Sequence, residues 1–167
     1  MMDPTYQEYL DESSHKKTRT SEFLGQLKDM DKKRVLQELY QAHNEVFKEV
    51  DCLACANCCK TSPPLVTKSD INRIAGFLGL TPREFTRRYV MEDVNGEWSF
   101  NSVPCRFLAD DNHCRIYEVR PEACRRYPHT DEEDFVRRRS LNLANTLICP
   151  AAYRITLLLQ NRLTLLP

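Results

Sequence analysis

Four cysteines fall within eight residues of one another: Cys52, Cys55, Cys58 and Cys59, in the run Asp51-Cys-Leu-Ala-Cys-Ala-Asn-Cys-Cys-Lys60. Thiols this dense share a metal, share a cluster or form disulfides, and each choice asks for a different fold around them. The chain has eight cysteines in 167 residues, and the other four are dispersed at Cys105, Cys114, Cys124 and Cys149.

A C-x2-C turn lets two sulfurs converge on one ion, about 2.3 Å away for zinc, with backbone amides left to donate to sulfur. A third cysteine at the same step gives the C-x2-C-x2-C of bacterial ferredoxin motifs. Those are completed by a remote cysteine followed by proline, and Cys149-Pro150 has that form. Adjacent side chains diverge, so Cys58 and Cys59 do not both close one relaxed tetrahedron. That favours two sites, a polynuclear cluster, or one non-ligand cysteine, for which Cys59 is the first candidate. Eight thiolates suffice for two four-coordinate zinc ions, two four-iron clusters, or one cluster plus accessory thiols. Arg106, Arg115, Arg120, Arg125 and Arg126 are interleaved with the dispersed cysteines and offset their negative charge. Arg120 and Arg125 are expected to bridge backbone carbonyls and thiolates.

The compartment decides against disulfides. The opening Met-Met-Asp-Pro-Thr-Tyr has no apolar core of a secretory signal. The apolar stretch 151–167 is interrupted by Arg154 and Arg162 and is too short to span a bilayer. The expectation is a cytoplasmic protein with no membrane insertion, where cysteine density points to metal or redox chemistry. Lys plus Arg and Asp plus Glu are both 24, giving zero net charge and no electrostatic reason to expect a nucleic-acid partner. The expected partner is a protein or redox partner of unspecified identity.

Residues 1–20 are polar and are expected to fray. Residues 21–50 read as one amphipathic helix, with Leu24, Leu27, Leu36, Leu39, Val46 and Phe47 at helical spacing. The cysteine run then reads as the loop that leaves it. Thr67 and Asp70 mark a helix start, Gly79 an end, and Thr81-Pro82-Arg83-Glu84 another start. Asn95-Gly96 and 109–112 are turn signals. Cys114–Tyr117 is expected to return antiparallel to Cys105–Leu108, as a short hairpin with Cys105 and Cys114 near its ends. Pro121 opens a helix carrying Cys124, acidic residues 131–134 open another, and Pro150 breaks or renucleates that one after Cys149.

The run Cys52–Cys59, with Pro104-Cys-Arg-Phe-Leu108, Cys114-Arg-Ile-Tyr-Glu-Val-Arg-Pro121 and Glu122-Ala-Cys-Arg-Arg-Tyr-Pro128, resembles the YkgJ-type cysteine-cluster family. The resemblance covers about residues 51–150. It implies a zinc- or iron-chelating, or Fe–S-cluster, domain, and says little about a reaction. A more distant relative with a similar cysteine pattern methylates lysines of flagellin, which implies protein side-chain modification as a further alternative. This sequence has no Gly-rich nucleotide loop to hold a methyl donor.

The expected fold is mostly α with a short β-hairpin, a small single domain organised around a Cys-rich metal site. The expected segments are a flexible N-terminus (1–20), an N-terminal helix (21–50), the cysteine-cluster domain (51–150) and a helical tail (151–167). The candidate metal ligands are Cys52, Cys55, Cys58, Cys59, Cys105, Cys114, Cys124 and Cys149. The cofactor is an Fe–S cluster (iron) or zinc: an Fe–S protein with a redox or enzymatic role, or a zinc module of protein interaction. His113, beside Cys114, and His129, after Tyr127-Pro128, are either ligands or donors to them; a solvated turn histidine is the ordinary reading, as for His15 and His43. Tyr117 and Tyr127 read as packing residues. No Ser-His-Asp or Cys-His hydrolytic arrangement and no acid pair at catalytic spacing is legible.

Overall fold

The structure, a computed structural model, describes residues 3–164. Met1, Met2 and the last three residues of the expected tail 151–167 lie outside the described residues. In chain order the elements are α1 (Pro4–His15), α2 (Lys17–Gln26), α3 (Lys32–Val46), α4 (Cys52–Cys55), α5 (Asn57–Thr61), α6 (Lys68–Phe77), α7 (Pro82–Tyr89), β1 (Val90–Glu92), β2 (Trp98–Phe100), α8 (Glu122–Arg126), α9 (Arg139–Ile148) and α10 (Pro150–Thr164). Short 3-10 turns occupy Leu27–Asp29, Tyr117–Val119 and Phe135–Arg137. The described residues are mostly helical with one two-stranded antiparallel hairpin. Its contacts group into two units. One holds the residues up to Cys55 and those from Pro128 onward; the other is Ala56–Tyr127.

In the first unit, Asp3 caps α1 by accepting the Thr5 amide at 2.8 Å, and Pro4 occupies the first turn. Residues 4–15 and 17–26 are helical, so helix occupies most of the segment 1–20 that was expected to fray. Tyr6, Leu10 and Ser13 share the buried face of α1, and the Ser13 hydroxyl donates to the Thr146 carbonyl at 2.7 Å. The single helix expected over 21–50 is interrupted. Met30 is extended and Asp31 caps a new helix by accepting the Arg34 amide at 2.8 Å. On α3, Val35, Leu39, Ala42 and Val46 then form one buried stripe. They join Phe23, Leu24, Leu27, Phe135, Ala151, Ile155, Leu159 and Leu163 in one core. The acidic residues 131–134 precede a 3-10 turn, and the helix that follows starts only at Arg139. Pro150 does renucleate a helix, α10.

The second unit follows the sequence cues more closely. Thr67 and Asp70 form a full capping box on α6, and Thr81 and Glu84 another on α7. Gly79 takes φ +67° just past α6, a conformation that favours glycine. The hairpin lies earlier than expected: β1 and β2 pair Val90 with Phe100 and Glu92 with Trp98, around the turn that contains Gly96. Between Cys105 and Cys114 only a single bridge, Leu108 to Cys114, remains. The core is Val66, Ile71, Ile74, Ala75, Phe85, Phe100, Phe107 and Ile116.

Asp70 does more than cap. Its buried carboxylate also accepts the Glu122 amide at 3.1 Å and pairs with Arg73. Arg73 in turn donates to the carbonyls of Val119 at 3.4 Å and Arg120 at 3.0 Å. Burial raises the Asp70 carboxyl pKa, but the hydrogen bonds from Thr67, Arg73 and Glu122 outweigh it and leave it below the ordinary 3.8. A folded pKa below the unfolded one gives stability that is present above the unfolded value and lost as pH falls through the folded one. Asp70→Ala is therefore expected to cost about 3 kcal/mol at neutral pH. That deficit should shrink on acidification below pH 3.8. Urea titrations read at the single tryptophan, Trp98, check both statements; a deficit independent of pH would refute the ionic role.

Candidate metal centres

The cysteine run is not a loop but two short helical turns, α4 and α5. Asp51 starts the first: its carboxylate accepts the Leu53 amide at 2.8 Å, and its own amide donates to the Tyr6 hydroxyl at 3.0 Å. Neither contact was foreseen from the sequence, although an Asp before a helical turn is a capping signal. Cys52 is exposed and Cys55 buried. Cys149 precedes α10 in extended conformation, and its sulfur accepts the Ala152 amide at 3.5 Å, in the place of an N-cap oxygen. Burial, the Ala152 amide, and the charges of Cys52 and Cys55 act on this thiol, and the net result pushes it up to about 12. Cys52, Cys55 and Cys149 thus share one electrostatic neighbourhood in the first unit.

The other five cysteines belong to the second unit. Cys58 and Cys59 are successive residues of α5, which point about 100° apart on a helix. Cys58 nevertheless hydrogen-bonds the Cys59 sulfur, which with Lys60 brings that thiol down to about 7 against the opposing effect of burial. The Cys105 amide donates to the Cys59 carbonyl at 2.8 Å. Burial raises the Cys105 thiol, and the nearby Phe107 and Leu108 amides oppose that rise. Cys114 is likewise raised by burial and opposed by the Ile116 amide and Arg120. Pro121 does open the helix carrying Cys124, as expected. That thiol is pushed up to about 12 by burial first, then by the charges of Cys59, Cys105 and Cys114.

Arg120 and Arg125 make the backbone-carbonyl half of the bridging expected of them. Arg120 stacks its guanidinium 3.7 Å from the Tyr117 ring and donates to the Tyr117 carbonyl at 2.7 Å. Arg125 donates to the Arg120 and Glu118 carbonyls. The Asp70–Arg73 pair, unforeseen in this role, fixes the same segment. His113 is exposed on its turn beside Asp111, at 3.4 Å. His129 lies in the first unit with Glu132 at 2.8 Å, and His43 with Thr130 at 2.9 Å.

Among the described residues, no three His, Cys, Asp or Glu side chains are closed around a common metal position. The donor set nevertheless suits thiophilic metals. Thiols of each unit neighbour one another, and the Ala152 amide donates to the Cys149 sulfur. No described helix is long and apolar enough to cross a membrane.

A family model, CxxCxxCC, described as "Putative zinc- or iron-chelating domain", matches residues 51–142. The uncharacterized protein MJ0661 of Methanocaldococcus jannaschii is 38% identical over 82 residues, which cover 47% of this chain and 44% of that protein. The match thus spans less than half of that relative's length. No solved structure matches the chain.

Proposed function

Since the chain belongs to the YkgJ-type CxxCxxCC family of zinc- or iron-chelating domains, we propose that its thiols carry an Fe–S cluster with a redox or enzymatic role. Metal binding follows from the family; the cluster is our reading. The observation that carries it is Cys149. It pairs a ferredoxin-like Cys-Pro step with a helix start, takes an amide hydrogen bond on sulfur, and shares its neighbourhood with Cys52 and Cys55. Fe–S clusters are held by cysteine thiolates, and hydrogen bonds to sulfur and solvent exposure set their potentials. When bound, such a cluster supplies electron-transfer or Lewis-acid chemistry. The chain supplies the thiolates, the amide donors and the cationic Arg120.

A zinc module of protein interaction is the second reading. It is favoured by the turn at Cys105, where the Leu108 amide closes on the Cys105 carbonyl at 3.0 Å and Leu108 bridges to Cys114, bringing two cysteines of one closed site together. Anaerobic purification followed by metal and acid-labile sulfide analysis decides between them. Iron with sulfide and broad visible absorption is the expected result; a colourless protein containing zinc alone would remove the Fe–S reading.

A further inference from the structure

The run Cys52–Cys59 is broken at Ala56, which takes φ 48° and ψ 19°. A residue with a Cβ rarely adopts this left-handed conformation. It ends α4 after Cys55 and redirects the chain before α5 begins at Asn57. The two units divide at the same point. The sequence motif that looks continuous is therefore shared between two separately packed bodies.

We propose that the chain carries two distinct thiolate metal centres, one held by Cys52, Cys55 and Cys149 and the other by Cys59, Cys105, Cys114 and Cys124. This assignment rests on reading the cysteines as metal ligands and goes beyond it by saying which cysteine serves which centre.

Within the first unit, Val50 and Cys149 pack against the same core. Arg154, one turn into α10, reaches Glu49 at 3.5 Å. The Asp51 amide is held by Tyr6, and the Cys55 amide returns to the Asp51 carbonyl at 3.2 Å. The start of α10 is thereby brought to the segment that leads into α4.

Within the second unit, the Cys105 amide is bonded to the Cys59 carbonyl. The Leu108 amide returns to the Cys105 carbonyl at 3.0 Å, and Leu108 bridges to Cys114. Asp70 and Arg73 grip the backbone from Val119 to Glu122, immediately before Cys124. The thiol neighbours agree with this division: Cys52 and Cys55 lie about Cys149, and Cys59, Cys105 and Cys114 about Cys124. Cys58 bonds Cys59 and is assigned to neither set.

The test uses the full chain purified anaerobically with its metal. Graded chelation with EDTA is followed by iodoacetamide alkylation, and peptide mass spectrometry reads each cysteine. The expected result is two blocks of exposure: Cys52, Cys55 and Cys149 together, then or before them Cys59, Cys105, Cys114 and Cys124 together. In Cys149→Ser, alkylation of Cys52 and Cys55 should rise about tenfold or more while Cys105, Cys114 and Cys124 stay protected, and Cys124→Ser should do the reverse. A block containing both Cys149 and Cys124 overturns the assignment, as does loss of protection across all seven in a folded variant. If a variant does not fold, the chelation series on the wild-type chain decides by the same criterion. A wild-type chain with no bound metal and uniformly reactive cysteines overturns metal binding itself, a result distinct from mixed blocks.

Discussion

Complete removal of metal is expected to unfold the second unit while leaving most of the first unit's helix intact. The second unit, Ala56–Tyr127, encloses a core of only eight buried apolar residues. A single core in a scaffold of this size seldom supplies more than about 3–5 kcal/mol, and small domains make up the difference with staples such as metals. A metal held at one hundred times its dissociation constant adds about 2.7 kcal/mol by mass action, comparable to everything such a core provides. The first unit has α3 and α10 packed over a larger core that includes Phe23, Leu39, Phe135 and Leu159.

The measurement is simple because the one tryptophan, Trp98, lies in β2 and packs against the second core. On chelation its emission should shift to the red and lose its cooperative melt. Far-UV circular dichroism should keep the contribution of α1, α2, α3, α9 and α10. An unchanged Trp98 melt in protein shown to be metal-free would mean that the thiols do not hold this unit together.

Phe85→Ala is expected to destabilise the second unit by about 4 kcal/mol. Phe85 is fully buried and lies 5.1 Å from the Tyr89 ring and 6.3 Å from those of Phe100 and Phe107. Truncation opens a cavity among three aromatic rings, and side chains in helix α7 and the hairpin have little freedom to refill it. The effect should reach the thiols as well. Phe107 stacks on Phe85, and Cys105 and Cys114 pack against the same core. Phe85→Leu conserves most of the volume and should cost less than about 1.5 kcal/mol. Equal losses for Ala and Leu, read by urea titration at Trp98, would show that the ring cluster does not carry this stability.

Local chemistry was the legible part of this chain. Thr67 with Asp70 and Thr81 with Glu84 announce their helices because a cap is a contact between residues three apart. Pro121 and Pro150 act through their own φ and missing N–H, so their effects also appear at once. Asp3-Pro4 and Asp31 carry the same kind of signal and explain the helix at 4–15 and the break before α3. They were outweighed in the sequence reading by low hydrophobicity in one case and an unbroken apolar period in the other.

What stayed hidden was long-range or unsignalled. The segment from Cys105 to Cys114 resembles a hairpin in composition, yet backbone turn bonds and one bridge organise it instead of a ladder. The double duty of Asp70 depends on Glu122, fifty-two residues away. The left-handed Ala56 has no sequence mark, because glycine or asparagine would have flagged it and alanine does not.

The interleaving of the two units also sets an order in time. Chains are made from the N-terminus, and domains fold as units while synthesis continues. Every cysteine of the second unit has been made once Tyr127 is joined, whereas Cys149 and the α10 face that α3 packs on come later. During the interval Cys52 and Cys55 are already present but lack their distant partner. The thiol set of the second unit is thus complete first, and that of the first unit only once Cys149 has been joined.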